Sequence, residues 1–180
     1  MAFVSFALAV CAAPGAMAAP ACDVMAQVPA SARVFAKPSG DGAWREYRTL
    51  ESVPDPAGPG AEIAQYSTDA NGAPSVYILG FDKDDRIYAR YCFDSGNKLG
   101  SIGFLVDTRW GWGFRLNGPV VQGAIQVQSS DFFDDSSGAT IAKPANADDI
   151  AAALKPTLYL ETGKLPFATL LAQPAKPAAP

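Results

Sequence analysis

The chain has 180 residues, 49% of them apolar and 18% charged, and a net charge of −4. That composition is apolar enough to fold, and its scattered cations argue against nucleic acid or an anionic membrane surface as partner. The absence of any histidine removes Ser-His-Asp and Cys-His mechanisms and the usual zinc sites.

Residues 2–13 form an apolar run of the length of a signal-peptide core, too short to span a bilayer. Ala16-Met17-Ala18 follows as a small-x-small cleavage site. The expected division is a signal peptide over 1–18, one β-rich domain over 19–171, and a disordered Pro/Ala-rich tail over 172–180. The n-region is unusual in carrying no Lys or Arg before Arg33. The mature chain would have no transmembrane segment and would be periplasmic or secreted. Export leaves two cysteines, Cys22 and Cys92, with a single intramolecular pairing. An oxidising compartment would join them across 70 residues, a closure worth about 4 kcal/mol in the chain-entropy account.

Turn chemistry divides the middle of the chain. Ser39–Gly42 precedes an expected strand over Ala43–Leu50, and residues 54–60 (PDPAGPG) read as a loop. Ala61–Ser67 and Ser75–Phe81 read as strands around the turn Asp69–Gly72. Arg86–Phe93 is the clearest strand, between turns at Asp82–Asp85 and Asp94–Asn97. Lys98–Val106 and Trp110–Leu116 follow, and Asn117-Gly118 predicts a two-residue hairpin. Pro119 would open the next strand, to about Gln128. Residues 129–145 read as irregular. Asn146 predicts a helix start and Pro156 its end. Thr157–Glu161 and Phe167–Leu171 read as a last hairpin. Short connections make sequential strands antiparallel neighbours. The expected fold is therefore mainly β, an antiparallel meander forming a strongly curved sheet or barrel, with one short helix near the C-terminus.

Gly42-Ala43-Trp44 ahead of such a meander, with a helix late in the chain, resembles the lipocalin and related calycin plan. In that family G-x-W begins the first barrel strand. The resemblance implies a closed barrel around an apolar ligand, and no binding residue is carried across.

Candidate ligand-binding residues come from residues 109–115 (RWGWGFR). Alternation along a strand would put Trp110, Trp112 and Phe114 on one face, and Arg109, Gly111, Gly113 and Arg115 on the other. The aromatic row reads as a platform for a sugar ring, lipid or apolar peptide framed by cations, or as the filling of a concave core, with the glycines letting another side chain lie across them. In Arg86–Phe93, Arg86, Tyr88, Arg90 and Cys92 share a face. A Cys22–Cys92 bond would then draw the N-terminal segment across Arg90 and Tyr88. The acidic groups Asp82, Asp84, Asp85 and Asp131, Asp134, Asp135 each offer several oxygens of the kind calcium takes, but neither has EF-hand spacing, and the first reads as a hairpin turn. No metal and no cofactor is expected, since Gly-rich phosphate loops are also missing. No catalytic residue is assigned. The functional expectation is a non-catalytic exported binding module for an apolar, glycan or peptide ligand, its partner an unidentified small ligand or envelope protein. Two alternatives stand beside it: an inhibitor of an exported hydrolase presenting the loop 129–137, and an envelope or polysaccharide enzyme using paired carboxylates.

Overall fold

Strand β1 (Arg33–Lys37) begins the sheet, with two fully buried side chains, Phe35 and Ala36, at its centre. This is a computed structural model, and it describes residues 22–175. The expected leader and the start near Ala19 lie outside that range, as do residues 176–180 of the expected tail.

The remaining strands are β2 (Arg45–Tyr47), β3 (Glu62–Thr68), β4 (Pro74–Asp82), β5 (Asp85–Phe93), β6 (Leu99–Asp107), β7 (Trp112–Val121), β8 (Ala124–Ile125), β9 (Ser129–Asp134) and β10 (Thr140–Ile141). Two short helices follow, α1 (Ala147–Ala153) and α2 (Ala168–Leu171). All ten strands join one antiparallel sheet in the order β10-β9-β7-β6-β5-β4-β3-β1-β2, with β8 paired only to β7. The sheet curls without closing, so β10 and β2 remain edges and the barrel implied by the lipocalin resemblance does not form. No helix among the described residues is long and apolar enough to cross a membrane.

The central strands β4 to β6 read correctly from sequence because each is rich in β-branched and aromatic residues and is bounded by turn signals. On the inner face, Ile78, Ala89, Phe104 and Leu116 line up across the register with Phe35 and Ala64. Ile150, Leu154, Leu165 and Phe167 from the C-terminal segment close over that row. Phe167 stacks on Phe35 with ring centroids 4.6 Å apart and meets Trp44 at 5.0 Å. Gly42-Ala43-Trp44 thus supplies a core ring beside the edge, while the strand expected over Ala43–Leu50 shrinks to Arg45–Tyr47 before a 3₁₀ turn at Leu50–Ser52.

Three other expectations change. Asn117-Gly118 does not turn: β7 runs through it, because both its flanks are taken up by backbone pairing. Gln128 N–H donates to Asn117 O at 2.9 Å, and Gln126 N–H donates to Pro119 O at 2.9 Å. The reversal falls instead at Gln122-Gly123, both in the left-handed region. Residues 129–145 are not wholly irregular, since β9 pairs along the length of Trp112–Asn117. The last hairpin is absent. Phe167 is drawn into the core and Ala168–Leu171 coils into α2, whose final carbonyls accept from Arg33: Nη1 to Leu171 O at 3.0 Å and Nη2 to Leu170 O at 2.9 Å. A cation at a helix C-terminus satisfies carbonyls that have no partner inside the helix. Helix α1 starts where expected, though Asn146 makes no side-chain cap.

The outer face of the sheet carries the N-terminal strap. Cys22 and Cys92 are disulfide-bonded, and the chain from Cys22 to Ala26 crosses β5 and β6. Arg90, expected beneath it, donates from Nη2 to the Ala26 carbonyl oxygen. Gly103 makes the crossing feasible: a Cβ there would collide with the Cys22 carbonyl and stand 2.9 Å from Val24 N. Gly103→Ala should therefore lose about 2 kcal/mol or more in urea unfolding. Gly100→Ala, where an added Cβ would meet only Cys92 O at 3.6 Å, should be near neutral. Equal effects would contradict this placement of the strap.

Candidate functional site

The two expected faces of residues 109–115 separate only in part. Trp112 and Phe114, 7% and 5% exposed, face inward and pack with Phe132 at 6.0 and 6.3 Å between ring centroids. Trp110 lies outside β7, in the turn after β6, and is 51% exposed. Arg109 lies over its ring, 5.1 Å from the centroid. Asp85 holds Arg109 there, accepting from Nη2 at 2.6 Å, Nε at 3.2 Å and the backbone N–H at 2.9 Å. Burial alone would raise the Asp85 carboxyl, but these three donors outweigh it and hold it below its ordinary value. Asp85 is thus committed to fixing one turn against another. Asp131 is committed likewise, pairing with Arg115 through two 2.6 Å bonds, and Asp134 accepts from Ser136 and Ser137.

Arg115 projects outward from β7, opposite Trp112 and Phe114. Its guanidinium lies 5.8 Å from the centroid of Phe133, which spreads across Gly113, where a Cβ would collide with the ring. One glycine of the motif does receive a neighbouring side chain, on the face away from Trp112 and Phe114.

Beside Arg115 and Phe133 the outer face opens a cleft of about 310 Å³. Its floor is Tyr77, Tyr88 and Leu105, its walls are Met25 of the strap and the turn after β9, and Asp107 and Asp135 project into it. The register builds it: Tyr88 pairs with Leu105 and Leu105 with Arg115, while Asp107 pairs with Gly113 and Gly113 with Phe133. Asp135 continues the line, its N–H donating to Gly111 O at 3.2 Å. Tyr77 and Tyr88 sit with ring centroids 6.4 Å apart, and Arg90 covers Tyr77 at 5.5 Å. Burial pushes the Tyr77 hydroxyl up to about 12. Burial and then the charge of Asp135 raise the Asp107 carboxyl, against weaker support from Tyr88 and Arg86.

Another cleft, of about 290 Å³, opens between β4, β5 and residues 155–159. Two of its polar side chains, those of Glu62 and Tyr91, already have partners. Glu62 pairs with Lys37 at 2.8 Å, and Tyr91 Oη donates to Thr157 O at 2.8 Å. In the outer cleft neither Asp107 nor Asp135 has an ion pair within 4 Å among the described residues. Two acids without ion pairs beside half-buried tyrosine rings mark the outer cleft as the candidate site.

Of the sequence-derived candidates, only Arg115 reaches this cleft. Tyr77, Tyr88, Leu105, Phe133, Asp107 and Asp135 were missed. Extending the parity of Tyr88 and Arg90 across to β6 would have found Leu105 and Asp107. Comparison with protein-family models, curated proteins and solved structures finds no match.

The raised Asp107 carboxyl makes a stability prediction. A carboxyl raised on folding favours the folded state when protonated, and that advantage is lost as pH rises through its folded value. Asp107→Asn should therefore be more stable to urea than the parent at neutral pH. The gain should vanish as pH falls below the ordinary value of 3.8. A variant that is destabilised equally at both pH values would contradict the desolvation of Asp107.

Proposed function

We propose that this is an exported, non-catalytic binding domain that takes a small ring-bearing ligand in the outer cleft. The observation that carries the reading is the cleft itself: two tyrosines and a phenylalanine around about 310 Å³, with two carboxylates lacking ion-pair partners among the described residues. Small-ligand sites are concave and mostly apolar, with a few convergent polar groups that fix orientation. Ring faces stack on flat ligands whatever their exact identity. Export is supported by the disulfide, which persists in oxidising compartments, and by the apolar leader-like run followed by Ala16-Met17-Ala18.

The expected inhibitor loop 129–137 is mostly strand β9, paired on one side with β7 and on the other with β10. It offers fewer free backbone groups to a protease than an extended loop would. This favours ligand binding over inhibition.

Native mass spectrometry after incubation with envelope extract tests the reading. The oxidised protein should retain a small molecule that leaves on unfolding. Tyr88→Ala, at a temperature where the variant is still folded, should cut its occupancy at least about tenfold, and Trp110→Ala should leave it intact. Retention that survives Tyr88→Ala but is lost in Trp110→Ala would move the site to the Arg109–Trp110 turn and refute the proposal.

A further inference from the structure

We infer that the ligand of the outer cleft is an organic cation, an amine or quaternary ammonium on an apolar or aromatic body. The inference rests on the cleft being the binding site and adds the chemistry of what it takes. Its ground is a mismatch between charge and environment. Asp107 and Asp135 project into one apolar-floored cleft, and two carboxylates sharing such a space oppose each other's ionisation. The cations nearby are engaged elsewhere or stand apart. Arg115 is held by Asp131 through both its Nε and Nη2. Arg90 is buried, lies over Tyr77 and donates to the strap at Ala26. Arg86, opposite Asp107 on β5, is exposed and with Tyr88 gives Asp107 some support, but it forms no ion pair with it within 4 Å among the described residues.

A ligand cation would add the close ion pair that Asp107 and Asp135 lack among the described residues, beyond the partial support that Arg86 gives Asp107. It would also meet ring faces, and the negative face of an aromatic ring attracts an ammonium group more strongly once water is excluded. Tyr88, its neighbour Tyr77 already covered by Arg90, is the ring available for that contact, with Leu105 beside it for the apolar body of the ligand. An anionic ligand would meet Asp107 and Asp135 head-on. A neutral ligand would leave their repulsion in place. The burial and the Asp135 charge that raise Asp107 are the cost that a bound cation would offset.

The experiment uses the oxidised chain with ring-labelled tyrosine and three probes of one shape: phenethylammonium, phenethyl alcohol and phenylacetate. Tyr77→Phe and Tyr88→Phe assign the ring signals. Phenethylammonium should shift the Tyr88 signal and bind at least about tenfold more tightly than the other two. Added salt should narrow that difference. Asp107→Asn and Asp135→Asn should each remove the preference for phenethylammonium over phenethyl alcohol. If all three probes shift Tyr88 with equal affinity, or phenylacetate binds best, the cleft binds ligands but the charge assignment is wrong. If none moves Tyr88 while the folded spectrum is intact, the cleft is not a binding site and both readings fall.

Discussion

The outer face depends on one crossing: the strap from Cys22 to Ala26 lying over Gly103. The disulfide to Cys92 fixes one end, and the Arg90 contact with the Ala26 carbonyl fixes the other. Gly103 supplies the space between them, since any side chain there would strike the Cys22 backbone. Without the strap, Val24 would leave the small outer cluster that it forms with Leu105 and Phe133, and the cleft would lose the wall that Met25 provides. A covalent tie suits this place. A five-residue segment with one buried valine cannot offset its own ordering entropy.

The inner face needs no such tie. Phe35, Ile102, Phe104 and Phe167 are wholly buried there, and the C-terminal segment covers the row. The sheet therefore divides its work. One face carries the apolar burial that stabilises the fold, and the opposite face holds charged groups and rings at an open cleft. The division explains why the Trp110–Phe114 stretch contributes on both sides. Trp112 and Phe114 complete the core, while Arg115, one residue on, is held by Asp131 beside the cleft.

Strands β4 to β6 and the disulfide were legible in the sequence because they rest on local β-branched and aromatic composition between turns and on a single cysteine pairing. The crossing of the strap over Arg90 followed from the side of β5 on which Cys92 lies. Elsewhere local signals lost to long-range ones. Asn117-Gly118 favours a turn, yet the pairing of Asn117 and Pro119 with residues 126–128 keeps it extended. Residues 129–134 look polar and loop-like, and become β9 because β7 offers a free edge. Phe167–Leu171 has the composition of a strand, but burial of Phe167 against Phe35 sets its path. The cleft was hidden for a related reason. Its residues come from β4, β5, β6, β7 and the turn after β9, and no single stretch of sequence displays them together.

The central claim is that a disulfide-anchored strap walls a cleft on a sheet whose opposite face is independently packed. Amide hydrogen exchange and ring resonances, recorded before and after mild reduction, address it directly. The account predicts that the Met25 and Ala26 amides lose protection and the Tyr88 signal moves, while Phe35, Phe104 and Phe167 keep their native shifts. A strap that stays protected after reduction, with Tyr88 unmoved, would contradict it.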